Sequence, residues 1–459
     1  MNFKDKYHSE YNSIESIFTG DNSQDTILKE LEKVLKTEFI DQETNDEIST
    51  PFSLLEKIYK KIYSIQLKRK PAILDYSCGK GNIIVYTFLR MYKYLIKKEQ
   101  DPVKTCKIII EKCLYFGDIN EKNVAIVCFI LHNYAKYLTK QEVSYKFNYY
   151  VGDSFKLDIT KHWNVDKMDM VFVNPPFHDD VKRKKTQHKL WIDFTKLTFN
   201  KWLKENGTLI QISPTSFSTP SSKILTIFKE KCVSHLFLKE EEFFPDVNTT
   251  ISWYIVQNTN DTSTLTNIND KYKLLIDDSM LYLPSDFCDE SISIHKKVMF
   301  DTTEKQQVKY DYTTAHNVLI HKEHPTISKT ETEQHIYPMF HTNKQVWYSS
   351  VDQDFRVKKK VMWTRSGYTK PFFDDGTLGV TDMGYYILVK SKREGENLDH
   401  NLNSKLFKYI LKTAKWSGFG NEKVFASLPK LPNKKMTDNE MYKYFNLTEQ
   451  EYEYIKSKV

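Results

Sequence analysis

Residues 168–177 read MDMVFVNPPF, an apolar run that ends in a polar, proline-rich corner. The apolar run is typical of a buried β-strand. Two consecutive prolines remove two backbone donors and stiffen the chain, so the Asn174 amide and the Pro175 carbonyl can stand out as fixed acceptors. Such a sequence is also a good turn, and this simpler interpretation loses weight only if neighbouring strand ends carry matching chemistry.

Three predicted strand ends upstream carry such chemistry. Residues 73–82, ILDYSCGKGN, predict a strand, a glycine-containing turn and the start of a helix. This kind of turn lets the backbone approach a ligand at the carboxyl edge of an open α/β sheet. The next two strands end at residues 117–120, GDIN, and 152–155, GDSF, where a carboxylate can accept hydrogen bonds from a ribose diol and a phenyl ring can form a wall. One such aspartate is more often a helix N-cap, but three in succession favour a ligand site.

Short apolar strands alternate with amphipathic helices from residue 72 to residue 257, which predicts an α/β fold with a doubly wound sheet. The predicted strands are 72–75, 107–117, 147–151, 168–173, 208–212, 233–238 and 251–257. The predicted helices between them are 83–96, 121–137, 190–203 and 221–231. Two helices precede the sheet, one at 25–40 and one that opens with Pro51 in its first turn. The polar residues 258–269 predict a loop or linker.

Composition excludes several classes of protein. A chain of 459 residues with 40% hydrophobic residues is too long for one core and too apolar for disorder. Its six cysteines form no Cys-x-x-Cys pair, which argues against a disulfide framework and a cysteine zinc site. His316, His321 and His324 lack cysteine neighbours at ligand spacing, so no metal is expected. Neither a signal peptide nor an apolar run of membrane-spanning length is present, and we expect a soluble intracellular protein.

The order of these motifs resembles the gamma class of S-adenosylmethionine-dependent DNA adenine-N6 methyltransferases, found in restriction-modification systems and in some large DNA viruses. Those enzymes begin with a Thr-Pro element, here Thr50-Pro51, followed by the glycine turn, the acidic strand ends and an Asn-Pro-Pro-Tyr/Phe signature. Residues 242–245, EFFP, are similar to the family element whose aromatic ring packs against the flipped base. The resemblance covers residues 45–260, and Tyr76-Ser77 departs from the commoner proline-containing pair in the glycine turn.

The resemblance implies a Rossmann-like, S-adenosylmethionine-binding catalytic domain at 45–260, a helical extension at 1–44 and a mixed α/β target-recognition domain at 270–459. It implies that the chain methylates the N6 amine of a flipped adenine in a specific duplex DNA sequence. The residues implied to act in catalysis are Asn174, Pro175, Pro176, Phe177 and Phe244. The residues implied to bind the cofactor are Thr50, Asp75, Tyr76, Ser77, Cys78, Gly79, Gly81, Asp118, Ile119, Asp153, Ser154, Phe155 and Asn174.

The weak nucleophilicity of the adenine N6 amine would explain why acceptors are needed at the corner formed by residues 174–176. The exocyclic nitrogen of adenine is a poor nucleophile, and acceptors at Asn174 and Pro175 would orient its lone pair towards the methyl donor. Cytosine-C5 methylation instead needs a nucleophilic cysteine, usually after a proline, and none of the six cysteines follows one. A flipped base loses its stacking, which Phe177 and Phe244 could replace from two sides, with Phe243 as an equally reachable alternative.

Basic residues interleaved with aromatic ones predict contacts to DNA, whose phosphates they would neutralise. The residues predicted to bind nucleic acid are Lys182, Arg183, Lys184, Lys185, Lys358, Lys359, Lys360, Trp363 and Arg365. Arg356, Lys370 and Tyr368 flank the second group. A further patch at Lys405, Lys408, Lys412 and Lys415, near Trp416, is equally consistent with a solvated helix face.

Alternatives remain at this point. The same corner occurs in families that methylate RNA adenine or protein glutamine, and a noncatalytic DNA-binding subunit could keep the fold. The basic, aromatic second half favours nucleic acid over protein, and the intact motif residues count against a noncatalytic subunit. We expect a monomer in the bacterial cytoplasm or a viral factory that modifies DNA without cleaving it, with or without a separate restriction endonuclease.

Overall fold

The computed structural model describes residues 3–19, 22–36, 48–177, 189–220, 222–245, 247, 249–311, 326–342, 345–365, 370–414 and 422–459. The chain divides into two compact units. The first contains Met1–Thr215 and Thr226–Ile276, and the second contains Ser216–Leu225 and Asp277–Val459. The division therefore follows Ile276, later in the chain than the polar stretch 258–269, and the N-terminal helices belong to the first unit.

Among the described residues of the first unit, the central element is a nine-stranded sheet. Its strands are β1 Ile73–Asp75, β2 Leu114–Asp118, β3 Asn148–Val151, β4 Met168–Val173, β5 Leu203–Pro214, β6 Cys232–Leu238, β7 Ile251–Gln257, β8 Thr266–Ile268 and β9 Tyr272–Leu274. Their spatial order is β3-β2-β1-β4-β5-β7-β6-β8-β9. β1 pairs in parallel with both β2 and β4, so the strand order reverses beside β1. In open α/β sheets, ligands bind at such a reversal, outside the carboxyl ends of the strands.

Along the chain, helices precede the first strand of this sheet and alternate with the strands that follow. They are α1 Phe3–Lys6, α2 His8–Ile17, α3 Gln24–Leu35, α4 Phe52–Tyr59, α5 Ser64–Lys68, α6 Asn82–Glu99, α7 Pro102–Ile108, α8 Glu121–Thr139, α9 Ile159–Trp163, α10 Leu190–Leu197 and α11 Lys223–Glu230. The Asp101, Asn120 and Asp158 side chains cap α7, α8 and α9 by accepting hydrogen bonds from backbone N–H groups of the first turn. Local polar residues thus fix where these helices begin.

The strands β4 and β7 begin and end where the sequence predicts, and two other predictions are wrong. Residues 107–117 are not one strand: α7 ends at Ile108, a π-helical turn spans Ile109–Cys113, and only the remainder is β2. A short apolar run cannot distinguish a buried helix from a buried strand. The predicted loop 258–269 contains β8. The predicted helix 190–203 is helical as far as Trp202, since α10 continues directly into a π-helical turn at Thr198–Trp202.

The second unit is mixed α/β. In the described ranges of this unit, two small sheets are formed by the strands β10 Ile327–Ser328, β11 Tyr337–Phe340, β12 Val346–Ser349, β13 Lys360–Thr364, β14 Phe372–Asp374, β15 Gly379–Val380 and β16 Gly384–Leu388. Its helices are α12 Asp289–His295, α13 Lys392–Leu402, α14 Lys405–Thr413, α15 Glu422–Phe425, α16 Asp438–Tyr444 and α17 Glu449–Lys458. An apolar core that includes Trp363, Tyr385 and Phe407 joins β13 and β16 to these helices. The predicted α/β fold class is confirmed.

A helix must carry about 20 consecutive, predominantly apolar residues to span a bilayer. Within the described parts of the chain, no helix meets this requirement.

Candidate active site

The Asn174 side chain, directly after β4, is held at its nitrogen and open at its oxygen. Its Nδ2 donates to the Ile48 carbonyl at 3.0 Å and to Thr50 Oγ1 at 3.2 Å. Because a backbone carbonyl can only accept, the amide nitrogen must face Ile48 and the oxygen must point away. Asn174 Oδ1 is buried and has no hydrogen-bond partner among the described residues. An unpaired buried acceptor costs about 1 to 3 kcal/mol, so this atom is a candidate for contact with a ligand.

Phe177 and Phe244, the two aromatic residues predicted to stack on a base, are buried. Phe177 is 5% exposed and Phe244 is 4% exposed, so neither ring presents an open face in this conformation. Phe243 is half-buried. The role of Phe177 and Phe244 as stacking partners of a base stays a prediction.

The glycine turn after β1 requires backbone shapes that other residues avoid. Gly79 has φ 49° and Gly81 has φ 98°. A Cβ atom on Gly81 would also lie 2.6 Å from Val127 Cγ2 of α8, closer than real side chains approach. Gly79 donates its N–H to Asp118 Oδ2 at 2.9 Å, and Cys78 donates to the Gly117 carbonyl at 2.9 Å. The turn is thus fixed against the end of β2.

Asp75 and Ser77 contribute further unpaired polar atoms at this edge of the sheet. Asp75 is 1% exposed, and its Oδ1 accepts from the Ser77 N–H at 3.2 Å. Asp75 Oδ2 and Ser77 Oγ are both buried without a hydrogen-bond partner in the described part of the chain. Burial, with the nearby Asp118 charge, raises the pKa of the Asp75 carboxyl well above its usual range. The fold therefore keeps two buried polar atoms without a protein partner among the described residues, and such atoms are candidates for contact with a ligand.

The ends of β2 and β3 place exposed apolar groups beside these acceptors. Asp118 Oδ1 accepts from the Asn120 N–H at 2.8 Å, and burial raises the pKa of its carboxyl. The following residue, Ile119, is 77% exposed, and Phe155 is 36% exposed. Exposed apolar side chains at strand ends that also carry carboxylates suit a ligand with a flat, aromatic base and a polar sugar.

Other predicted cofactor residues have structural roles. Asp153 Oδ1 accepts from the Phe155 N–H at 3.0 Å, which is the cap of a short 3₁₀ turn, and Ser154 Oγ donates to the Tyr76 carbonyl. The Tyr76 ring is fully buried and stacks on Phe194 at 4.8 Å, and Phe194 stacks on Phe155 at 4.1 Å. Sequence reasoning missed Phe194, because an aromatic residue on a predicted amphipathic helix carries no distinguishing signal.

Two predicted nucleic-acid contacts are wrong. Lys360 is fully buried, and its Nζ lies 2.7 Å from Asp374 Oδ2. Trp363 is 1% exposed within the core of the second unit. Neither side chain can reach a phosphate or a base.

Nearby basic residues are accessible. Lys358 is exposed, Lys359 is partly exposed and pairs with Asp375 at 2.8 Å, and Arg365 is half-buried. Several other predicted residues lie outside the described ranges: Lys182, Arg183, Lys184, Lys185, His316, His321, His324, Tyr368, Lys415 and Trp416.

Asp75→Asn is expected to stabilise the protein at neutral pH. A carboxyl whose pKa is raised on folding contributes stability below its unfolded pKa, and this contribution is lost as pH rises through the folded pKa. The asparagine variant removes this loss, so its advantage in thermal midpoint should grow as the pH rises from about 4, the ordinary pKa of an aspartate, towards neutrality. Thermal unfolding over this range tests it, with exposed Asp166→Asn as the control. A variant no more stable than the wild type at neutral pH would contradict the description of Asp75.

Comparison with known proteins shows a likeness in fold. No protein-family model matches the chain, and no curated protein is significantly similar to it in sequence. A nuclease-deletion mutant of the Type ISP restriction-modification enzyme LlaGI, in complex with a DNA substrate mimic, aligns with TM-score 0.52 at 10% identity over 98% of this chain and 53% of that chain. The ATP-dependent Type ISP restriction-modification enzyme LlaBIII, bound to DNA, aligns with TM-score 0.52 at 10% identity over 95% and 41%.

The Type IIL restriction-modification enzyme MmeI, in complex with DNA, aligns with TM-score 0.50 at 9% identity over 94% of this chain and 81% of that chain. The chain spans about half the length of the LlaGI deletion mutant and 41% of the LlaBIII chain. At these identities the likeness concerns the fold alone. The chain is thus similar in fold, along most of its length, to restriction-modification enzymes solved with DNA.

Proposed function

We propose that the chain is a site-specific DNA methyltransferase that transfers a methyl group from S-adenosylmethionine to the N6 amine of an adenine flipped out of duplex DNA. The observation that carries this proposal is the buried oxygen of Asn174, which no residue in the described ranges pairs with. It lies at the carboxyl end of β4, beside the reversal in strand order, where a ligand is expected. The similarity in fold to DNA-bound restriction-modification enzymes supports DNA as the partner.

The protein's task is to improve a poor nucleophile. Asn174 Oδ1 and the Pro175 carbonyl would each accept one hydrogen of the amine and favour a tetrahedral nitrogen whose lone pair is free to react. The Ile48 and Thr50 oxygens hold the amide against rotation, so the acceptor is oriented before the base arrives. The amine nitrogen would take the methyl group as the methyl carbon–sulfur bond of the donor breaks, which leaves a neutral thioether, and the nitrogen would then lose one proton to solvent. This mechanism requires no covalent intermediate with the protein.

The residues of the sheet edge fit the proposed cofactor. S-adenosylmethionine, when bound, supplies an activated methyl group. Asp75 Oδ2 and Ser77 Oγ are unpaired polar atoms that can bind its polar groups, and the Asp118 carboxylate retains lone pairs that can accept from sugar hydroxyls. Ile119 and Phe155 are exposed apolar side chains that can hold an aromatic base.

The second unit is proposed to recognise the target sequence. Lys358, Lys359 and Arg365 are the accessible members of its predicted basic group, and Lys182–Lys185 remain a prediction from the sequence.

The RNA adenine and protein glutamine alternatives would use the same chemistry at the Asn174 corner. The identity of the acceptor that becomes labelled distinguishes them from the DNA proposal.

The proposal is tested by incubating the purified protein with isotopically labelled S-adenosylmethionine and duplex DNA, structured RNA or protein extract. Nucleoside and amino-acid analysis then identifies the methylated group. We expect label in N6-methyladenine from DNA, and the Asn174→Ala protein is the control for contaminating activity. Label found only in RNA or in glutamine would contradict the DNA proposal, and no label in any acceptor would contradict methyl transfer itself.

A further inference from the structure

We infer that Glu240 is a positioning residue for the turn that carries Phe244, and that it acts together with Lys57 of α4. This inference rests on the proposed function, because it assigns the pair a part in placing the extruded base. Lys57 and Glu240 lie 183 positions apart in the chain. Neither belongs to a motif that the sequence analysis singled out.

The Glu240 carboxylate is buried and fully engaged. It is 5% exposed, and Lys57 Nζ lies 2.8 Å from both of its oxygens. Trp253 of β7 adds a third donor, with its Nε1 3.2 Å from Glu240 Oε2. The Glu240 side chain is 6% exposed and that of Lys57 is 32% exposed, so the carboxylate is largely shielded from solvent while the ammonium group is partly accessible. Two charge-assisted hydrogen bonds to a shielded carboxylate can hold the two segments at a fixed separation.

Glu240 also begins the turn that ends at Phe244. Its N–H donates to the Ile251 carbonyl at 2.9 Å, which attaches it to the start of β7. Its carbonyl accepts from the Phe243 N–H at 3.2 Å, and the Glu241 carbonyl accepts from the Phe244 N–H at 2.8 Å. A shift of Glu240 would therefore be transmitted through the backbone to the Phe244 ring within one turn.

Helix α4 connects this turn to the Asn174 amide. At its amino end, Thr50 Oγ1 accepts from Asn174 Nδ2 at 3.2 Å, and the Phe52 N–H donates to Glu32 Oε1 of α3 at 3.0 Å. Lys57 lies in the last turn of the same helix. A helix of this length spans about 12 Å. α4 is thus a short rigid connection between the acceptor proposed to bind the amine and the turn proposed to contact the base.

The chain offers a matched control on the same helix. Lys60 pairs with Glu56 at 3.1 Å, but their side chains are 66% and 55% exposed. Lys57→Met and Lys60→Met make the same chemical change within one turn of each other, and only the first removes the charge partner of a buried carboxylate. Lys57→Arg keeps the charge and can still bind both carboxylate oxygens.

The experiment uses the full chain and a duplex containing the sequence that the wild-type protein methylates, with 2-aminopurine in place of the target adenine. Its fluorescence rises when the base leaves the stack. We expect Lys57→Met and Glu240→Gln to reduce this rise and to lower kcat about 10- to 100-fold, with an unchanged KM for the cofactor. Lys57→Arg and Lys60→Met should stay close to the wild type.

The outcomes separate the inference from the function on which it rests. Equal effects of Lys57→Met and Lys60→Met, or a normal fluorescence rise with Glu240→Gln, would overturn the positioning role while methylation by the wild type stands. A wild-type protein that methylates no DNA would overturn the proposed function and this inference with it. If Lys57→Met does not fold, Glu240→Gln provides the same readouts, since it preserves volume and an acceptor for Trp253.

Discussion

Replacing Asn174 by alanine is expected to reduce turnover about 100-fold or more while cofactor binding is retained. The reason is that Asn174 Oδ1, at the end of β4, is a buried acceptor with no partner in the described part of the chain, and its nitrogen is already held by Ile48 and Thr50. The alanine variant keeps the strand and the two prolines but removes the oriented oxygen. Its effect should therefore fall on kcat, because the interaction is made with the reacting amine.

The measurement is single-turnover methylation of duplex DNA, together with calorimetric titration of the cofactor into each protein. Asn200→Ala, at an exposed asparagine in the same unit, is the matched control and should behave as the wild type. Near-normal turnover of Asn174→Ala would contradict the assigned role. A loss of turnover that follows entirely from weakened cofactor binding would contradict it as well.

Lys360→Met is expected to lower the free energy of unfolding by about 3 to 5 kcal/mol, because it leaves the Asp374 carboxylate buried without its charge partner. Lys360 Nζ also donates to the Arg356 carbonyl at 2.8 Å and to the Lys358 carbonyl at 2.9 Å. The side chain thus connects β13 to β14 and to the preceding loop. Its role is structural, although its sequence neighbourhood resembles a DNA-binding surface.

Lys358→Met provides the comparison for this second variant. Lys358 is exposed two residues earlier, so its loss should leave the free energy of unfolding nearly unchanged and weaken DNA binding in a salt-dependent way. Chemical denaturation measures the stability of both variants, and DNA affinity at two salt concentrations measures binding. A Lys360→Met protein as stable as the wild type would contradict the buried ion pair.

The sequence was informative where local chemistry decides the structure. β4 is an unbroken apolar run stopped by two prolines, and β7 is an apolar run between polar segments, so both boundaries were predictable. The Asn174 corner and the Thr50-Pro51 element were recognisable by residue type. Their contact, the hydrogen bond between Asn174 Nδ2 and Thr50 Oγ1, joins residues 124 positions apart and became visible only in the structure.

Prediction was wrong where distant partners decide the outcome. Lys360 is buried because Asp374 lies across the strand pair β13–β14, and nothing in the basic run 356–360 indicates that partner. Trp363 was assigned to a surface because it lies among basic residues, yet β13 is buried along its whole length. The ion pair of Lys57 with Glu240 was not predicted at all, since a lysine on a predicted helix usually faces solvent.

Methylation mapping of a plasmid carried in cells that express this chain tests the central claim most directly. The account predicts N6-methyladenine at one position of a defined DNA sequence with the wild-type protein, and unmodified adenine at that position with Asn174→Ala. A plasmid without methylated adenine, or one equally methylated by both proteins, would contradict the claim that the Asn174 oxygen activates an extruded adenine.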